Sequence, residues 1–75
     1  MAFIEMTGKT LDKLLVEDEL HHDDLVAAGV TESTIVRVNR EGDIEVRRPH
    51  GWEVVGGLIG EFSDRIHAET GLDWA

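Results

Sequence analysis

The stretch 34–48 constrains the fold more than any other part of this sequence. Thr34-Ile35-Val36-Arg37-Val38-Asn39 and Asp43-Ile44-Glu45-Val46-Arg47 are both rich in β-branched residues, which suits two strands. Between them lies Arg40-Glu41-Gly42. A three-residue loop ending in Gly fits a type I turn closed by a bulge, because Gly accepts positive φ there. That loop sets Val38 opposite Ile44, Arg37 opposite Glu45 and Val36 opposite Val46. Both apolar pairs then share one face and the opposite charges share the other. A two-residue Glu41-Gly42 turn would put Val38 opposite Glu45 and mix the faces. The sequence therefore predicts an antiparallel β-hairpin over 34–48.

The rest of the chain is arranged around this hairpin. Residues 2–6 read as a short strand with Ala2, Ile4 and Met6 on one face, and Thr7-Gly8 as a turn. Thr10 then N-caps a helix through Leu11, Leu14 and Leu15. The acidic residues 17–24 interrupt the apolar period, and a second short helix covers 23–28, with Gly29 at its left-handed C-cap and Val30 folding back. Whether 11–28 is one bent helix or two is left open. Beyond the turn Pro49-His50-Gly51, Val55, Leu58/Ile59, Phe62 and Ile66 recur at helical spacing, and Gly71 ends that helix with Leu72 set against Ile66. Two readings fit 52–57. It is a third strand followed by a Gly56-Gly57 turn, or the last helix starts near Glu53 and Gly56, Gly57 and Gly60 give it a smooth face. The second fits slightly better. The sum is a small α+β domain spanning 1–75: the hairpin and a short N-terminal strand, packed by two or three helices. Its core is expected to hold Ile4, Leu14, Leu15, Leu25, Val36, Val38, Ile44, Val46, Leu58, Ile59, Phe62 and Ile66.

Length and charge narrow the function. At 75 residues the chain holds one domain, and its own core is small. With no Cys there is no disulfide, thiolate metal site or Cys nucleophile. The net charge is −9, which argues against a general phosphate-backbone binder. That charge is uneven. Residues 1–34 carry two Lys against eight acids, 35–50 four Arg against three, and 51–75 one Arg against five. No signal peptide or membrane-spanning run is visible, so the default is a cytoplasmic protein.

Several clusters are candidates for chemistry. His21 and Asp24 would share a helix face beside His22, and imidazole with carboxylate can bind Zn²⁺ or Ni²⁺. A solvated helix terminus is the better reading, so no metal and no cofactor are expected. Thr7-Gly8-Lys9-Thr10 matches the end of a phosphate-binding loop, but Phe3 stands where the motif needs Gly. Ser63, Asp64 and His67 would share an exposed helix face without an oxyanion hole or pocket, and no enzyme is expected. Arg37, Arg40, Arg47 and Arg48 are the only basic concentration. A basic β-ribbon can enter a DNA groove, but Glu41, Asp43 and Glu45 lie among them. Trp52 and Trp74 can cover the core or anchor a partner, since Trp is frequent in interface hot spots.

Leu25 to Arg48, LVAAGVTESTIVRVNREGDIEVRR, resembles the second half of the swapped-hairpin transition-state-regulator and antitoxin subunits. They run a short helix, a Leu-Gly turn and a hairpin with an acidic-Gly tip. The Gly/Ile-Pro signature that precedes the helix in that family is replaced here by residues 19–24. From these readings the chain is expected to be a small acidic non-enzymatic protein-interaction module: an adaptor, an inhibitor or an antitoxin-like partner. It is expected to be homodimeric, with Trp52, Trp74, Gly56, Gly57 and Gly60 at the contact. Its acidic ends would steer it to a basic surface on another protein. The alternative is a dimeric DNA-binding regulator using Arg37, Arg40, Arg47 and Arg48.

Overall fold

In the computed structural model the chain folds in the order β1 (Phe3–Thr7), α1 (Gly8–Leu14), α2 (His22–Ala27), β2 (Ile35–Asn39), β3 (Asp43–Arg48), β4 (Gly51–Gly57) and α3 (Phe62–Thr70). The structure describes residues 3–15, 22–72 and 74. The strands make one antiparallel sheet in the order β1-β2-β3-β4. The architecture is α+β, as the sequence predicts.

The hairpin β2–β3 has the predicted register, with Val36 opposite Val46, Arg37 opposite Glu45 and Val38 opposite Ile44. Its tip shows why. The Gly42 amide donates to the Asn39 carbonyl at 3.0 Å, and Gly42 takes φ 88°, where a side chain would be strained. Asn39 Oδ1 accepts from the amides of Glu41 (2.9 Å) and Asp43 (3.0 Å), and its Nδ2 donates to Asp43 Oδ2. A nearly buried Asn thus satisfies the loop amides that the ladder leaves open.

Segment 51–57 is a strand, not the start of the last helix. β4 pairs with β3 from Arg48↔Gly51 to Asp43↔Gly57. Glu45 faces Val54 and Ile44 faces Gly56, so Val55 is an extra residue in a β-bulge. The smooth glycine face on a helix therefore does not exist. Gly56 and Gly57 lie in the ladder, and Gly60 turns the chain at φ 68° before α3. The Leu58 amide donates to the Gly42 carbonyl at 2.7 Å, which anchors this connection to the hairpin tip and delays α3 to Phe62.

The helix boundaries follow from their caps. α1 begins one turn before the predicted start, because Thr7 and not Thr10 is its N-cap, its side chain accepting from the Thr10 amide. The N-terminal strand runs to Thr7 accordingly. The α1 C-cap, Leu15, is extended at φ −67°, ψ 140°, so α1 and α2 are separate helices. After α2, Gly29 takes φ 79°, its amide donates to Val26 O, and the Val30 amide donates back to Leu25 O. That closure is the Schellman arrangement expected from Gly29-Val30. Gly71 ends α3 in the same left-handed region, donating to His67 O at 2.8 Å.

Ile4, Met6, Leu11, Leu14, Leu25, Val30, Val36, Val38, Ile44, Val46, Leu58 and Ile66 form the core. Leu15 and Phe62 are only partly buried against it. Ile59, expected inside, is 53% exposed, because the loop through Gly60 points it outward while Leu58 turns in. Met6, Leu11 and Val30 belong to the core in addition to the residues expected there. Arg65 clamps α3 to the rest by donating to the Leu14 carbonyl at the end of α1 and to Ile59 O. The buried apolar strand residues lie on one face of the sheet, under the helices. Alternation puts Phe3, Glu5, Arg37, Glu45, Arg47, Trp52 and Val54 on the other, where no described helix lies.

Candidate interaction surface

The open face is laid out in three rows by the strand register. The first is Phe3, Asn39, Asp43 and Gly57; the second is Glu5, Arg37, Glu45 and Val54; the third is Thr7 and Ile35, then Arg47 and Trp52. Arg37 sits at the centre. Its Nη2 and Nε both donate to Glu45 Oε1, at 2.9 and 3.3 Å. Its guanidinium carbon lies 3.8 Å from the Phe3 ring centroid and 4.2 Å from that of Trp52. A cation between two ring faces and a carboxylate is held by quadrupole attraction and by charge. The side chains are only 22% exposed for Arg37 and 13% for Glu45. Beside this stack Val54 stands 61% exposed, and Arg47 and Glu5 are exposed without a described ion pair.

The other arginines of the hairpin region are engaged by the chain itself. Arg40 Nη2 donates to the Trp74 carbonyl at 2.6 Å. Arg48 donates to the Ala28 carbonyl at 2.6 Å and to Glu53 at 3.4 Å. Of the basic set only Arg47 points outward unengaged. The four do not form one basic stripe: Arg37 and Arg47 lie on the open face, Arg40 at the tip and Arg48 toward α2.

The residues expected at a partner contact do not come together in one place. Trp52 belongs to the open face. Trp74 folds back on α3: its ring meets Phe62 edge-on at 6.4 Å, its Nε1 donates to Ser63 Oγ at 2.8 Å, and it packs on the core. Gly56 and Gly57 lie in edge strand β4, and a methyl on Gly60 would meet nothing within 4 Å. Phe3, like Val54, is a site residue that sequence reasoning did not single out. Its alternation with Ile4 was the available signal, since it placed Phe3 opposite the core face.

The Thr7-Gly8-Lys9-Thr10 junction has no free cradle. The amides of Gly8 and Lys9 donate to the carbonyls of Thr34 and Glu32, and that of Thr10 to Thr7 Oγ1. Gly8 is needed because a methyl there would overlap the Thr31 carbonyl oxygen. Ser63 is taken by Trp74, and His67 Nδ1 lies 3.3 Å from the Leu72 carbonyl. His21 and the His22 side chain lie outside the described residues, and Asp24 is exposed on α2. Among the described residues no group of three or more His, Asp or Glu is placed to hold a metal. No helix among them is long and apolar enough to cross a membrane. A groove of about 500 Å³ runs between α1 and α2, with Leu25, Val26 and Val30 along it and Lys9 and Lys13 among its lining residues.

Comparison with known protein families, with curated proteins and with solved structures finds no match for this chain. The segment that resembles the swapped-hairpin subunits does form a short helix, a Gly turn and a hairpin. Here both edges of that hairpin are paired within the chain, by β1 and by β4.

Proposed function

We propose that this chain is a small, acidic, non-enzymatic protein-interaction module that docks through the open face of its sheet. The observation that carries this reading is the Phe3–Arg37–Trp52 stack with exposed Val54 beside it, on a face that no described helix lies against. Aromatic residues and Arg are the side chains that carry most binding energy in protein interfaces. Here the three are already ordered by one another, which lowers the entropy lost on binding. The DNA-binding alternative has less support, because Arg37, Arg40 and Arg48 are already engaged by the chain's own carboxylates and carbonyls.

Affinity capture with the wild type and with Val54→Glu tests the reading. A protein retained by the wild type and lost with a folded Val54→Glu supports it. Equal retention by both chains, or retention of duplex DNA in place of protein, counts against it.

A further inference from the structure

Among the surfaces of the described residues open to a partner are the α1–α2 groove, the β4 edge and the open face. The groove carries both acidic and basic lining residues, and nothing in its make-up selects an occupant. The β4 edge is interrupted by the Val55 bulge, a device that discourages edge-to-edge pairing. The open face differs, because its pattern is complementary to itself.

We propose that the open face binds the same face of a second copy, about a two-fold axis lying between the two sheets and parallel to their strands. This names the partner of the docking surface proposed above and rests on that reading. Such an axis lays β1 over β4 of the second copy and β2 over its β3, with each row over the same row. Arg37 of each copy then lies over Glu45 of the other, so the ion pair inside each chain becomes a square of alternating charge. In the same row Glu5 lies over Val54. In the first row Phe3 lies over Gly57, and in the third Trp52 lies over Thr7: each large ring meets a small residue. Arg47 lies over Ile35, where its alkyl stem can pack. The other in-plane axis, perpendicular to the strands, sets Glu5 on Glu5, Arg37 on Arg37 and Glu45 on Glu45, three like-charge contacts. The charges therefore choose one arrangement.

The area agrees with a reversible dimer. Four strands at ~4.8 Å spacing and five to seven residues at ~3.3 Å give a face roughly 15–20 Å on each side. Two such faces cover roughly 450–800 Å² in all, the size of a weak and transient contact.

Sedimentation velocity between about 1 μM and 1 mM tests this with the wild type, Val54→Glu, Arg37→Glu and Glu45→Arg, each checked for folding by circular dichroism. The wild type is expected to shift from monomer to dimer with concentration. Val54→Glu, which sets a carboxylate over Glu5 of the other copy, is expected to weaken the dimer about tenfold or more. Arg37→Glu and Glu45→Arg are each expected to stay monomeric alone and to form a heterodimer when mixed, since one then supplies both acids and the other both bases. A wild type that stays monomeric throughout, a folded Val54→Glu that dimerises like the wild type, or folded charge variants that do not associate on mixing would overturn the proposal. If a monomeric wild type still captures a protein that Val54→Glu loses, the second copy is excluded and the docking surface stands. If it captures none, both readings fall.

Discussion

At the residue scale, single atoms decide several features that composition does not show. Gly8 sits where α1 begins against the turn before β2, and both its amide and that of Lys9 are spent on carbonyls of that turn. A methyl at Gly8 has to push backbone, not a flexible side chain. We predict that Gly8→Ala costs about 2–4 kcal/mol in urea unfolding, as overpacking against backbone does. Gly60→Ala is the control. Unlike Gly8 it has positive φ, at 68°, with open space around it, so about 1 kcal/mol is expected there from the backbone conformation alone. Equal losses at both positions would contradict the steric account. Arg37 shows how far a residue could be read from sequence. Its pairing with Glu45 followed from the hairpin register. Its place between Phe3 and Trp52 did not, because those rings come from opposite edges of the sheet and no local pattern joins them.

At the element scale, legibility depended on whether the local pattern was regular. The β2–β3 hairpin was readable because the Gly42 loop and the alternation of Val36, Val38, Ile44 and Val46 gave the same register. β4 was not, because its bulge breaks alternation: Val54 faces out and Val55 follows it as the unpaired residue. The apolar spacing from Val55 through Leu58 and Phe62 to Ile66 then imitated a helix. Thr10 stands directly before Leu11, the first residue of the apolar helical pattern, and so reads as an N-cap, whereas Thr7 accepts the Thr10 amide. The hairpin tip offers a test of what holds an element together. Asn39 is 9% exposed and accepts two loop amides, so Asn39→Ala leaves two donors without their acceptor. We predict a loss of about 1–3 kcal/mol, seen as a lowered thermal midpoint. Each kcal/mol moves that midpoint by about 4–8 °C in a chain of this size. An unchanged midpoint would show that water replaces the side chain at no cost.

At the scale of the whole molecule, the strands are neighbours in space in the same order as in sequence, yet their connections are unequal. β2, β3 and β4 follow one another through short turns. β1 reaches β2 only across α1, α2 and everything between Thr7 and Ile35. Closing that long loop costs entropy before any contact offsets it. The three-stranded meander is therefore expected to assemble first, with β1 and α1 docking onto it afterwards. Hydrogen exchange reads this order from the folded side. The amides of Arg37, Glu45 and Val46, which face the other strands of the meander, should exchange only on global unfolding, and those of Ile4 and Met6 through a smaller opening at lower free energy. Equal protection in β1 and β3 would make the sheet one cooperative unit. If the order holds, each opening of β1 also removes Phe3 from Arg37, so the rate at which the surface is dismantled is set by the last strand to join.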